Sequence, residues 1–125
     1  MLYKEITEKI IKAAMEVHTS LGTGFQELIY QRALEIEMTS VGLTCEREKE
    51  MPIFYKGQQI GARRVDFFVE NKIMVELKAV VDLENVHLAQ AINYLEAYNM
   101  EIGLLINFGA KSLQFKRVYN NKMLQ

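Results

Sequence analysis

The sequence has little of what breaks or staples a chain. Of 125 residues, one is proline, seven are glycine and one, Cys45, is cysteine. No Gly/Ser-rich run or block of like charge interrupts it, which excludes a long linker, tail or low-complexity segment. A single cysteine closes no internal disulfide, so a reducing, cytoplasmic setting is expected. With only two histidines beside it, a structural zinc site is not expected. Apolar runs fall far short of the roughly 20 residues a membrane span needs, and the first helical stretch is too charged for a signal peptide. No Gly-rich phosphate loop and no Ser/His/Asp arrangement is present. The net charge is −1, and Arg63-Arg64 and Lys116-Arg117 are the only adjacent basic pairs. Any contact with nucleic acid therefore has to be local or assisted by a partner.

Half of the residues are hydrophobic and a quarter charged, which suits one globular domain over residues 1–125 with a substantial core. Ile6, Ile10, Ile11, Ala14, Val17 and Leu21 recur at helical spacing, so residues 3–20 read as an amphipathic helix. The string "LGTG" ends it, and a second helix is expected over 25–40, with Thr23 and Gln26 resembling a capping box. Strands are expected over 44–55, 60–69 and 73–81, a helix over 83–98, and strands over 101–108 and 112–119. The order is ααβββαββ. A helix crossing between two strands implies a parallel pair, so the expected fold class is α/β (α+β), a mixed β-sheet flanked by helices.

Charge sits in unexpected places in the second and third strands, "RVDFFVENKIMVELKAV", residues 64–80. Val65, Phe67 and Val69 alternate along one strand, and Ile73, Val75, Leu77 and Ala79 along the next, so both sets should face one core. A three-residue loop, Glu70-Asn71-Lys72, meets that condition and sets Asp66 across from Glu76, with Lys78 one step along. Two carboxylates at cross-strand distance repel. A hard divalent cation relieves the repulsion, and a lysine beside it can orient or deprotonate an attacking water. A surface cluster in which Lys78 merely neutralises the two acids fits the spacing equally well.

Asp66, followed after nine residues by Glu76-Leu77-Lys78, resembles the PD-(D/E)xK signature of the restriction-endonuclease-like nucleases, with Val65 where the signature has proline. "GFQELIY", residues 24–30, resembles the GxxExxY motif of a family within that superfamily. "EVHTSLGTGFQELIY", "VELKAV", "LAQAINYL" and "GLLINFG" are similar to blocks of the same family and extend the likeness over nearly the whole chain. The resemblance implies a restriction-endonuclease-like core and divalent-metal-dependent phosphodiester hydrolysis, with Mg²⁺ or Mn²⁺ as cofactor. It implies that Asp66, Glu76, the Leu77 backbone carbonyl and Glu27 hold the metal and that Lys78 orients the water. Gln90 and Tyr94 match a QxxxY motif, and these two with Tyr30 are the expected substrate-binding residues. The bare spacing adds that Glu27 and Tyr30 share a helix face, as do His87, Gln90 and Tyr94. A glutamate in a first helical turn is also favoured by the helix dipole alone.

Two functions from different classes follow. One is a metal-dependent nuclease acting on nucleic acid, DNA being the expected substrate. The other is a catalytically silent nucleic-acid-binding or protein-partner module that keeps the nuclease fold. The small size for work on duplex DNA makes a homodimer an expectation, and no membrane association is expected.

Overall fold

In the computed structural model, which describes residues 3–123, the chain runs through eight elements. These are α1 (Lys4–Leu21), α2 (Glu27–Ser40), β1 (Cys45–Tyr55), β2 (Gln58–Val69), β3 (Ile73–Lys78), α3 (Asn85–Ala97), β4 (Ile102–Asn107) and β5 (Gln114–Tyr119). The five strands form one sheet in the order β1-β2-β3-β4-β5. Only β3 and β4 run parallel, because α3 carries the chain back across the sheet between them. No described helix is long and apolar enough to cross a membrane.

Strand alternation divides the sheet into two apolar faces. Phe67, Val69, Ile73, Val75 and Leu77 join Ile102, Leu104 and Ile106 on one face, where Ile10, Ala14, Val17 and Leu34 of the helix pair α1–α2 cover them. Phe68, Met74 and Val118 face the other way, against Ala91 and Leu95 of α3. Each of these Val, Leu, Ile, Phe and Met side chains, once fully buried, contributes about 1.5–3 kcal/mol. Gly103 lets α3 lie close to the sheet, since a Cβ there would meet the Met74 carbonyl oxygen at 2.9 Å and Leu95 Cδ2 at 3.2 Å.

The β2–β3 turn is the three-residue loop that the apolar pattern requires. Val69 pairs with Ile73, Phe68 with Met74 and Phe67 with Val75. Glu70 and Asn71 take left-handed backbone angles (φ 55° and 54°), and Lys72 N–H donates to the Val69 carbonyl at 3.0 Å. One expectation fails two residues earlier. Val65 does not face the α1–α2 core with Phe67 but joins Phe68 and Met74 on the α3 side. The break lies opposite Glu48 of β1, whose φ of 55° interrupts the pleat between the Arg47–Phe67 and Lys49–Val65 pairs.

Other boundaries shift for local reasons. α2 starts at Glu27, not residue 25; Gln26 is its N-cap and no side chain caps it, so the Thr23–Gln26 capping box does not form. α3 starts at Asn85, not 83, because the Glu84 N–H donates to His87 Nδ1 at 3.0 Å, a reciprocal cap of the first turn. β3 stops at Lys78 because Asn107 takes over the backbone of Val80. Its Oδ1 accepts the Val80 N–H and its Nδ2 donates to the Val80 carbonyl, each at 2.9 Å.

Candidate active site

The site begins where the β2–β3 ladder ends. Beyond Phe67–Val75, the Leu77 N–H is taken by the Asp66 side chain, Oδ2 accepting at 2.8 Å. The other oxygen, Oδ1, accepts from Gln31 Nε2 at 2.9 Å. Gln31 is a buried residue of α2, so a helix on one side of the sheet and a backbone amide of β3 together fix the Asp66 carboxylate.

Glu76, the next acid in register, is 3 % exposed. Its Oε2 accepts from Arg63 Nη2 at 3.0 Å, while its Oε1 is buried with no hydrogen-bond partner. Burial, reinforced by the nearby Asp66 charge, pushes the Glu76 carboxyl up to about 7, and Arg63 and Lys78 pull the other way without offsetting it. Such a carboxylate is short of cations. Arg63 meets part of that need while its guanidinium also lies 4.8 Å from the centre of the Tyr94 ring.

Lys78, at the end of β3, is half-buried and lines a cleft with Arg63, Glu76, His87, Gln90 and Tyr94. The sheet supplies the charged wall and α3 the polar one. Because His87 Nδ1 accepts the Glu84 N–H, its ring proton sits on Nε2. Glu27, exposed in the first turn of α2, feels Lys78, Asp66, Arg63 and His87, and partial burial raises its carboxyl. Asp66, Glu76, Lys78, Glu27, Gln90 and Tyr94 are thus gathered in one region from four elements.

Tyr30 is not among them. Its ring is fully buried, stacked on Phe108 with centroids 4.8 Å apart. Its hydroxyl donates to the Gly22 carbonyl at 2.6 Å and accepts from the Phe25 N–H at 3.2 Å. The residue expected to bind substrate instead ties down the loop that precedes α2. Nor does Glu27 complete a set of acids: among the described residues no three His, Cys, Asp or Glu side chains group together as a metal cage. The α2 side chain that reaches Asp66 is Gln31, one turn after Glu27. Sequence reasoning missed Gln31 and Arg63. The i, i+4 spacing of Glu27 and Gln31 was the available signal for the first; nothing in the strand pattern distinguished Arg63 from Arg64.

A family model described as the PD-(D/E)XK nuclease superfamily matches residues 4–118. The chain belongs to that superfamily. Its fold is also similar to a solved structure titled "Crystal structure of SSO0001", at a TM-score of 0.57 and 19 % identity over 94 % of this chain. The chain spans 57 % of the length of that neighbour, and the likeness speaks for the fold alone. No curated protein matches the sequence. Nucleases of the PD-(D/E)XK superfamily generally use divalent metals, and the oxygens at this superfamily member's site fit one. Asp66 keeps free lone pairs beside its two hydrogen bonds, and Glu76 Oε1 is a buried acceptor without a donor. An all-oxygen donor set suits a hard cation.

Proposed function

We propose that the chain is a GxxExxY-type, divalent-metal-dependent nuclease that hydrolyses phosphodiester bonds in DNA, in the cytoplasm. The observation that carries this reading is Glu76, a carboxylate buried beside Asp66 and Lys78 with one oxygen unpartnered. Asp66, Glu76 and the Leu77 carbonyl would hold Mg²⁺ or Mn²⁺, with Glu27 supporting them through water. When bound, the ion supplies a Lewis acid for the phosphoryl oxygens and lowers the pKa of a bound water.

The chain's own residues do the rest. Gln31 and the Leu77 N–H hold Asp66 in one orientation, so no side-chain freedom is lost on binding. Lys78, on the same strand as Glu76, orients the attacking water and faces the charge that grows on the phosphate. Gln90, Tyr94 and the His87 Nε2–H offer polar contacts from α3 to the substrate backbone. Arg63 pairs with Glu76 Oε2 at 3.0 Å in the resting protein and would yield that oxygen to a bound ion.

The test is cleavage of single-stranded, duplex and branched DNA with Mg²⁺ or Mn²⁺. Wild type is expected to cut at least one of these, and Asp66→Asn none. The Arg63–Glu76 pair also favours a second reading, a binding module in which an arginine has permanently taken the metal's place. Nucleic-acid binding that ignores divalent metal, with no cleavage of any substrate, would establish that alternative.

A further inference from the structure

The β1–β2 hairpin is longer than the sheet needs. β3 pairs with only residues 67–69 of β2, while β1 and β2 stay paired with each other from Lys49–Val65 out to Tyr55–Gln58. A two-stranded ribbon by itself is marginal in water. This one is fastened near its base, where the Tyr98 hydroxyl donates to the Met51 carbonyl at 3.3 Å and Arg63 reaches Glu76. Every residue from 54 to 62 is exposed. The tip turns through Lys56 and Gly57, both at positive φ, and leaves Phe54, Tyr55 and Ile60 about 60 % exposed or more. Lys56 Nζ lies 5.4 Å from the centre of the Tyr55 ring.

Charge is sorted onto this ribbon. Residues 51–65 contain Lys56, Arg63 and Arg64 and no acid, leaving twelve basic against sixteen acidic side chains in the rest of the chain. Just below, Lys49 Nζ lies 3.6 Å from Glu46, and Glu50 is the cross-strand partner of Arg64. The near-neutral net charge thus conceals a cationic arm on an acidic body. A second copy of the chain is a poor occupant, because meeting arm to arm would bring two cationic surfaces together.

We propose that the β1–β2 ribbon is a nucleic-acid-binding arm whose tip stacks Phe54 and Tyr55 on unpaired bases, with Lys56 and Arg64 on the neighbouring phosphates. This deepens the nuclease reading and rests on it. Aromatic faces tolerate any base but need an open base surface, which a closed duplex gives up only at a cost of a few kcal/mol per step. The arm also sets a distance. Gln58 lies five strand steps from Arg63, so the tip lies about 17 Å from the active-site cleft, the length of about five stacked base steps.

The experiment is fluorescence anisotropy of a labelled oligothymidylate and of a duplex of equal length, in EDTA so that nothing is cut. Wild type and the Phe54→Ala/Tyr55→Ala variant are compared, with Tyr55→Phe as the conservative control and circular dichroism confirming each fold. Wild type is expected to prefer the single strand. The double variant should lose at least about tenfold in single-strand affinity and less than about threefold on the duplex, while Tyr55→Phe binds like wild type. Unchanged single-strand affinity in the double variant, equal losses on both substrates, or no wild-type binding would overturn the arm. So would sedimentation in which the double variant loses self-association and keeps its oligonucleotide affinity. Because metal is absent, failure of the nuclease reading shows separately, as intact binding without Mg²⁺-dependent cleavage.

Discussion

At Glu76 two opposing forces act on one carboxylate. Burial and the neighbouring Asp66 favour the protonated form, and Arg63 and Lys78 favour the charged one. The first pair wins, which holds the folded carboxyl near 7 against an ordinary 4.5. Between those values the folded chain keeps a proton that the unfolded chain releases. The resulting stability is fully present below about pH 4.5 and is lost as pH rises through about 7, on the order of 3–4 kcal/mol in all. Urea denaturation in EDTA should therefore show a less stable protein at pH 8 than at pH 5. Glu76→Gln should flatten that profile and leave the variant more stable than wild type at pH 8.

Lys78 and Tyr30 separate catalysis from scaffolding. In the proposed nuclease, Lys78→Ala is expected to cut the cleavage rate by about 10²- to 10³-fold with metal affinity kept, because the side chain would act on water and phosphate and not on the ion. Tyr30→Phe should do the reverse. It leaves the Phe25 N–H and the Gly22 carbonyl without their partner, costing about 1–3 kcal/mol, yet metal-dependent cleavage should survive. A Tyr30→Phe protein of wild-type stability that fails to cut would restore its expected role at the substrate.

Among the elements, the stretch after β3 governs how Lys78 is presented. Asn107 holds both polar groups of Val80, Phe108 N–H donates to the Lys78 carbonyl at 2.9 Å, and Gln114 donates to Asp82. Gly109 packs so closely that a Cβ would stand 2.4 Å from the Val80 oxygen. Gly109→Ala should thus destabilise the protein by about 1–3 kcal/mol and weaken cleavage together with stability, measured by thermal denaturation and by the rate on one oligonucleotide.

The same elements show what a sequence discloses. The β2–β3 register was legible because two strands with period-two apolar faces admit few loop lengths, and a one-residue slip would turn every core side chain outward. The end of β3 was not legible, since it depends on an asparagine 27 positions away capturing the Val80 backbone. Val65 was misassigned because the kink at Glu48 lies in the partner strand. Asp66, Glu76 and Lys78 stood out as charges in apolar strands. Gln31 and Arg63 did not, because a buried glutamine and a strand arginine become site residues only through tertiary contact.

On the scale of the whole molecule, helices cover both faces of the sheet, and the acids gather where one ladder stops. The body is acidic and the arm cationic, so on the proposed reading a nucleic-acid substrate would meet the arm before the cleft. A homodimer would double that contact surface and present two sites. Sedimentation at micromolar concentration should then show a two-fold assembly, and a monomer throughout would rule it out.

Calorimetric titration of Mn²⁺ into wild type and into Asp66→Asn, at pH 8 and without nucleic acid, tests the central claim most directly. Binding in the wild type that disappears in Asp66→Asn is the expected result. Equal heats from both proteins, or none from either, would contradict a metal site built on Asp66 and Glu76.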